Sequence, residues 1–215
     1  SLAAAELRPR EWDLDAVVSG SQKGVMTPPG LAFAWLSDRA WRSTAELAPS
    51  AYLDLRRERG KQRDGQTSVT PATSLVAALD VALGMITSQG VEARWLEKRR
   101  LNDALIGAGS ALGLTPLASR PSPALAALML PGGVTAQSVV AAARELGVSI
   151  AGGEGALKER LLRPSLLGWA DRYDLVTLAA ALEDALRAVG HDVGYGVGPA
   201  AALASFHGHG GAASA

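Results

Sequence analysis

One lysine in this sequence stands where covalent chemistry is possible. It closes the run Ser19-Gly20-Ser21-Gln22-Lys23, which follows a short β-branched apolar stretch at residues 15–18. That stretch predicts a strand, and open α/β folds bind their ligands beside the carboxyl ends of strands. A lysine amine kept neutral there can attack a carbonyl group and form an imine. By spacing alone, a surface lysine in a turn is the preferred interpretation.

The elements on either side would position this lysine. Residues 31–36 form a second apolar run after Pro28-Pro29-Gly30 and predict another strand. A short helix is predicted from Ser37, and it should stop before Pro49 because a residue that precedes proline disfavours helical backbone. Lys23 is therefore expected in a loop between two strands.

Three longer segments follow. Residues 56–65 are almost wholly polar and predict an exposed loop. Residues 73–89 carry apolar side chains at helical spacing and predict a largely buried helix. Residues 91–112 predict a second helix, with Leu96 facing inward and the charged residues, Lys98 among them, facing solvent.

Prolines mark a linker after the second of these helices. Pro116, Pro121 and Pro123 make this stretch the best domain boundary by composition. Beyond it, the pattern predicts strands at residues 124–130, 148–151 and 161–167 and helices at 135–146 and 171–189. The predicted order is therefore strand, helix, strand, strand and helix. This order is typical of a small α/β domain with helices against one sheet, preceded here by the end of a larger α/β domain.

The chain beyond Gly190 is rich in glycine and alanine and contains His207-Gly208-His209. Two histidines at this spacing could contact a metal ion, but no carboxylate or third ligand lies nearby in the sequence. A flexible tail is the preferred interpretation, and no metal site is assigned.

Composition limits the classes of partner. The 215 residues include 21 basic and 21 acidic side chains, so no overall positive field attracts nucleic acid or an anionic membrane surface. The absence of cysteine excludes disulfides and thiolate metal sites and fits a cytoplasmic location. Apolar stretches such as residues 75–86 are interrupted by Asp80 and fall short of the ~20 residues that a membrane-spanning helix needs.

The lysine run, together with Pro28-Pro29-Gly30-Leu31, resembles the lysine region of class V pyridoxal-phosphate aminotransferases of the alanine–glyoxylate and serine–pyruvate type. The resemblance implies that Lys23 forms a Schiff base with pyridoxal 5'-phosphate and that Gln22 helps to hold the cofactor phosphate. It continues through Ser37-Asp38-Arg39-Ala40 and Tyr52-Leu53-Asp54 and covers most of the chain.

The same resemblance concerns the start of the chain, which opens on Ser1-Leu2-Ala3 rather than on Met. Ser1-Leu2 is similar to the end of the family's Asp-Ala-Val-Ser-Ser-Leu stretch, whose aspartate pairs with the pyridine nitrogen of the cofactor. That aspartate, the stacking aromatic residue and the glycine-rich phosphate loop are expected in an N-terminal half that precedes residue 1.

Another matching segment, Gln66-Thr67-Ser68-Val69-Thr70-Pro71-Ala72, implies a dimer with shared active sites. In the family this segment reaches across the dimer, where a threonine, and often a tyrosine three positions earlier, contact the phosphate of the neighbouring subunit. Thr70 matches the threonine, whereas Thr67 replaces the tyrosine with a shorter hydroxyl donor. Without the resemblance, Thr70 is a helix-entry residue before a proline.

The second anchor of the resemblance runs from Gly152-Gly153 to Arg163, and it is similar to the family's glycine loop and Arg-Ile-Gly strand. The resemblance implies that Arg163 binds the α-carboxylate of the substrate, and the planar guanidinium suits a carboxylate. Arg160 is the competing candidate. Pro164-Ser165 stands where the family has Ile-Gly, a change that could shift the strand.

The resemblance therefore implies a fold type I pyridoxal-phosphate transferase: the end of the large cofactor domain at residues 1–90, the small carboxyl-terminal α/β domain at 91–190, and a Gly/Ala-rich tail at 191–215. The expected reaction moves an amino group from alanine or serine to glyoxylate or pyruvate in a homodimer. A cysteine desulfurase would need a cysteine that the chain lacks. A same-fold lyase, a phosphonate transaminase and a non-catalytic subunit remain open alternatives.

Overall fold

The computed structural model describes residues 2–46, 48, 50 and 52–208, so Ser1 and His209 lie outside the described residues. The chain divides into two compact units. The first comprises the chain from Glu6 to Ser88 together with Leu2, and the second comprises Ala3–Ala5 and the chain from Gln89 onward. The proline-rich linker, expected from composition to be a boundary, lies inside the second unit.

Two short strands pair in the first unit. β1 (Ala16–Gly20) and β2 (Ala32–Leu36) are antiparallel along their whole length, which confirms both predicted strands. α1 (Asp38–Ser43) follows and ends in a short 3-10 turn. The helix begins as predicted because the Ser37 hydroxyl accepts a hydrogen bond from the Ala40 N–H at 3.1 Å.

α2 (Leu55–Arg63) stands where an exposed loop was expected, so that expectation is wrong. The Asp54 carboxylate caps the helix by accepting the Arg56 N–H at 2.9 Å. The Arg56 guanidinium also hydrogen bonds to this carboxylate and lowers the pKa of Asp54 to about 2. The Arg59 guanidinium lies 4.4 Å from the ring centroid of Trp41. These polar contacts stabilise a helix that the spacing of apolar residues does not reveal.

α3 (Thr73–Gln89) forms as predicted but is not largely buried. Only Ala82 and Ile86 of this helix are buried, whereas Val81 is 63% exposed and Leu83 45%. A helix that is apolar on all sides usually lies inside a protein, and here the described chain covers only a narrow side of it. No single helix in the described part of the chain is long and apolar enough to span a bilayer.

The second unit, in its described part, combines an antiparallel sheet with helices. Its elements are α4 (Val91–Ala111), β3 (Thr115–Pro116), β4 (Leu128–Met129), α5 (Ala136–Glu145), β5 (Ala151–Gly152), β6 (Leu161–Arg163), α6 (Arg172–Ala188) and α7 (Val197–Gly208). The strands lie in the order β3-β4-β6-β5. The predicted order of strand, helix, strand, strand and helix is confirmed, but each of these strands is shorter than predicted, and β5 shares only Ala151 with the strand predicted at 148–151.

Leucines from α4, the sheet and α6 form the core of this unit. Each of the following is at most 1% exposed: Leu101, Leu105, Leu128, Leu162, Leu182 and Leu186. Burial of a leucine side chain contributes about 1.5–3 kcal/mol. Leu162 anchors β6 in this core, so the adjacent Arg163 stands on a fixed strand.

α4 carries two buried cations that were not expected. Lys98 is only 2% exposed, and its ammonium donates to the Ala170 carbonyl at 2.6 Å. Arg94, one helical turn earlier, is equally buried and donates to the Gly168 carbonyl at 2.9 Å. Burial lowers the pKa of Lys98 below its usual value. The outward placement predicted for Lys98 is wrong, as is the inward placement of Leu96, which is 49% exposed.

α7 shows that the flexible-tail interpretation is wrong for Val197–Gly208. The buried Glu183 carboxylate on α6 accepts the N–H of Gly196 at 2.6 Å and that of Gly198 at 2.8 Å. It thereby satisfies two donors at the start of α7, where the helix dipole also favours negative charge. Ala202 is fully buried against the core. A distant carboxylate therefore organises a segment whose own composition indicates flexibility.

Candidate active site

Lys23 lies just beyond β1, in the connection of residues 21–31 that leads to β2. Its side chain is exposed, and its amine has no hydrogen-bond or ion-pair partner among the residues that the structure describes. The expected loop between two strands is therefore present. The amine is accessible to a ligand.

The backbone of this connection is fixed by Ser21, which is fully buried. The Ser21 N–H donates to the Leu31 carbonyl at 3.1 Å, and its hydroxyl donates to the Pro28 carbonyl at 2.7 Å. The same hydroxyl accepts the Leu31 N–H at 3.3 Å. One small side chain thus ties both ends of the connection together.

Thr27 completes this arrangement from the other side of the connection. Its N–H and its hydroxyl both donate to the Ser21 carbonyl, at 3.2 and 3.0 Å. Between Ser21 and Thr27, the Met26 N–H donates to the Lys23 carbonyl at 3.0 Å, and Met26 adopts a left-handed backbone with φ of 66°. Val25 is 2% exposed and anchors the turn. The lysine therefore combines a fixed backbone with a free side chain.

Gln22 is exposed, and its side chain folds back over Gly20. A Cβ atom on Gly20 would clash with Gln22 Oε1, so the flexible amide would have to move aside if position 20 carried a side chain. The Ser-Gly-Ser-Gln-Lys run is thus locally interdependent: glycine makes room for glutamine, and the second serine holds the loop.

Thr67 and Thr70 are exposed in the segment that precedes α3. The Thr67 hydroxyl donates to the Val69 carbonyl at 2.6 Å, so its only proton is engaged within the segment. Thr70 forms no side-chain hydrogen bond within the described chain. Neither threonine hydrogen bonds to Gln22 or Lys23 among the described residues.

Arg163 is the last residue of β6 and pairs with Ala151 of β5. Its Nε donates to the Gly152 carbonyl at 2.7 Å, and its Nη2 lies 2.6 Å from the Glu154 carboxylate. The arginine side chain is 33% exposed, so the guanidinium is accessible. A planar, permanently charged group at a strand end can bind a carboxylate bidentately.

The residues around Arg163 explain why β6 is shorter than predicted. Pro164 has no N–H to extend the ladder of hydrogen bonds, and the strand ends immediately before it.

Arg160, the competing candidate, lies in the turn before β6. Its side chain is exposed, without a partner in the described part of the chain. Gly153 makes a tight turn, since a Cβ there would lie 2.2 Å from the Leu157 carbonyl oxygen.

The site residues that the sequence indicated fall in both units, with Gln22 and Lys23 in the first and Arg163 in the second. The functional assignments of these residues stay predictions. Sequence reasoning missed Ser21 and Thr27 as the residues that hold the lysine loop, and Glu154 as the partner of Arg163. The buried hydroxyls have a recognisable signal, because two hydroxyl residues, Ser21 and Thr27, flank the lysine in the sequence.

Substitution of Ser21 by alanine is expected to destabilise the protein by about 1–3 kcal/mol, because it leaves the buried polar groups around the lysine loop without their hydroxyl partner. Urea unfolding monitored by circular dichroism measures this loss. Ser19 is the matched control, since among the described residues its hydroxyl makes a single long bond, at 3.4 Å. Ser19→Ala should change stability by less than about 0.5 kcal/mol; equal losses in the two variants would contradict the assigned role of Ser21.

The chain is similar in sequence and in structure to several known proteins. No protein-family model matches the sequence. The chain is 39% identical over 196 residues to the small subunit of a soluble hydrogenase from Synechococcus sp., covering 89% of this chain and 50% of that protein. It is also similar to the solved structure of an aspartate aminotransferase of subgroup IV from Thermus thermophilus, with 40% identity, a TM-score of 0.81, and coverage of 88% of this chain and 53% of that one.

A third similarity is to the solved structure of pyridoxamine–pyruvate aminotransferase from Mesorhizobium loti. Identity is 30%, the TM-score is 0.89, and the match covers 97% of this chain and 56% of that one. The chain is homologous to the class V aminotransferases. Its α/β fold is that of a part of the fold type I pyridoxal-phosphate enzymes. The chain spans about half the length of the relatives it matches.

Proposed function

We propose that this chain is the carboxyl-terminal part of a transaminase that moves an amino group from a small amino acid, alanine or serine, to glyoxylate or pyruvate. The observation that carries the proposal is the free, exposed amine of Lys23 on a fixed loop in a homologue of the class V aminotransferases. The carbonyl chemistry of transamination requires such an amine.

The residues present fit pyridoxal 5'-phosphate. The Lys23 amine is available to an aldehyde, and the exposed Gln22 amide and Thr70 hydroxyl are donors suited to a phosphate. Thr67 fits less well, because its hydroxyl proton is engaged by the Val69 carbonyl. When bound, the cofactor supplies an electron sink that stabilises negative charge at the substrate's α-carbon.

The chain's own residues then have defined tasks. Lys23 Nζ accepts the proton from the α-carbon of the amino acid and so acts as the general base. It later returns a proton to the cofactor and then acts as the general acid. Arg163 binds the α-carboxylate through its guanidinium and so orients the α-carbon. The hydrogen bonds of Ser21 hold the lysine backbone in place during this transfer.

The rest of the enzyme is proposed to pack on the apolar surface of α3 and to supply the carboxylate that pairs with the pyridine nitrogen. Two observations support this: the chain spans about half of each relative, and Val81 and Leu83 are exposed. An apolar surface of this kind marks a contact with another chain or segment. Activity is accordingly proposed only for the complete assembly.

The complete enzyme is expected to sediment as a species with two copies of this chain and two equivalent sites, because the segment around Thr70 matches one that serves the opposite subunit. Analytical ultracentrifugation of the active protein measures the copy number. Mixing a Thr70→Ala chain with a Lys23→Ala chain should restore one functional site in each mixed dimer if Thr70 acts across the interface. An active species with one copy of this chain would contradict the proposal.

The hydrogenase name of one relative favours a second candidate, a non-catalytic subunit of a redox complex. Redox-active iron and nickel centres are often held by cysteine thiolates, and this sequence contains no cysteine. Among the described residues, no cluster of three His, Asp or Glu side chains suits a metal ion. A lyase or phosphonate transaminase of the same fold would share Lys23 and differ in its products.

An absorbance spectrum of the purified complete enzyme tests the proposed function. A cofactor bound covalently to lysine absorbs in the near-visible, and addition of alanine or serine should change that band while the 2-oxo acid restores it. A stable protein without the band would support the non-catalytic subunit instead. Release of ammonia without a 2-oxo acid acceptor would support the lyase.

A further inference from the structure

The guanidinium proposed to bind substrate already holds a carboxylate from its own chain. Glu154 Oε1 lies 2.6 Å from Arg163 Nη2, and the neighbouring Nε donates to the Gly152 carbonyl at 2.7 Å. The Nε and Nη2 groups form one edge of the guanidinium fork, the edge through which a carboxylate commonly binds bidentately. That edge is therefore occupied in the free protein.

The position of Glu154 is fixed by the turn that carries it. Gly153 has no space for a side chain, and its N–H donates to the Leu161 carbonyl at 2.8 Å, so the backbone is tied to β6. Glu154 stands at the N-cap of the 3-10 turn Gly155–Leu157, yet its carboxylate makes no capping bond there. The carboxylate pairs with Arg163 instead of performing the local task that its position offers.

We propose that Glu154 is an internal competitor for the substrate's carboxylate and so determines how strongly this site binds its substrates. This inference rests on the proposed role of Arg163. Between turnovers Glu154 occupies the arginine; an incoming α-carboxylate displaces it, and the glutamate side chain moves into solvent. The side chain of Glu154 is 80% exposed, so it has room to leave.

The exposure of the Glu154 side chain also determines how much substrate affinity the ion pair can cost. Ion pairs between accessible side chains are weak, so displacement of Glu154 should cost the substrate about two- to fivefold in affinity. Competition of this kind acts on the binding of every carboxylate. It does not act on the chemical step, because Glu154 is absent from Arg163 once the substrate is bound.

The test compares Glu154→Gln with Glu159→Gln in the complete, cofactor-loaded enzyme. Glu159 is an exposed glutamate in the same segment, and its side chain forms no hydrogen bond or ion pair with Arg163 among the described residues, so the control removes the same charge nearby. The probe is propionate, an unreactive monocarboxylate, measured as an inhibitor. Glu154→Gln should lower the inhibition constant of propionate and the KM of alanine about two- to fivefold, with kcat unchanged. The KM of an amine without a carboxylate should not change.

Three results would overturn the inference. Equal effects of Glu154→Gln and Glu159→Gln on propionate binding would indicate a general change in charge. Weaker propionate binding in Glu154→Gln would mean that Glu154 supports Arg163. Unchanged propionate binding in Glu154→Gln would mean that the Glu154–Arg163 pair does not compete with substrate. Arg163→Lys separates this inference from the proposed function. If that variant weakens propionate binding while Glu154→Gln has no effect, only the competition is refuted; if it leaves propionate binding unchanged, the role assigned to Arg163 fails.

Discussion

Replacement of Lys23 by alanine is expected to lower kcat of the complete enzyme by at least about 10²–10⁴-fold, the contribution of a positioned general acid–base group. The lysine is also the proposed covalent attachment point of the cofactor, so the near-visible absorbance band should change as well. Stability should change by less than about 0.5 kcal/mol, because the side chain is exposed and its amine has no partner in the described chain. Steady-state kinetics and thermal unfolding of the same preparation measure both quantities.

Lys61 provides the control for this substitution. It is the lysine of α2, and its amine hydrogen bonds to the Gln66 side chain on the surface. Lys61→Ala should retain turnover and absorbance close to those of the unsubstituted enzyme. Wild-type activity in Lys23→Ala would end the assignment of this lysine.

Substitution of Arg163 by lysine is expected to lower kcat/KM about ten- to a hundredfold. Lysine keeps the positive charge but loses the planar fork, and a hydrogen bond to a charged group is worth about 1.5–3 kcal/mol. The loss should be confined to substrates with an α-carboxylate, and cofactor absorbance should survive. Kinetics with an amino acid and with an amine that lacks the carboxylate measure this selectivity.

Arg160→Lys is the matched control, since Arg160 is an exposed arginine in the turn before the same strand. This variant should behave as the unsubstituted enzyme. If Arg160→Lys shows the carboxylate-selective defect, or if Arg163→Lys impairs both substrates equally, then Arg163 is a structural residue.

The sequence predicted the elements whose stability depends on nearby residues. The sequence predicted β1, β2 and the order of elements after the proline-rich linker, because the spacing of apolar residues and the turn residues are local signals. The Ser-Gly-Ser-Gln-Lys run likewise indicated a loop lysine, although the hydrogen bonds of Ser21 that hold this loop lead to Pro28 and Leu31, beyond the run.

The features that the sequence did not predict depend on distant partners or on polar contacts. Lys98 was expected in solvent, but it is buried and its ammonium donates to the Ala170 carbonyl, which lies far along the chain. α7 depends on the Glu183 carboxylate, which lies well before it in the chain. Similarly, the 2.6 Å pair of Glu154 and Arg163 requires the turn that brings two separated residues together. Periodicity contains no information on such pairings.

The most direct test of the central claim is chemical: reduce the complete, cofactor-loaded enzyme with borohydride, digest it, and locate the modified lysine by mass spectrometry. The chain has four candidates, Lys23, Lys61, Lys98 and Lys158. We expect the reduced cofactor on Lys23, with loss of the near-visible band. Modification of another lysine, or a band that disappears with no modified lysine in this chain, would contradict this expectation.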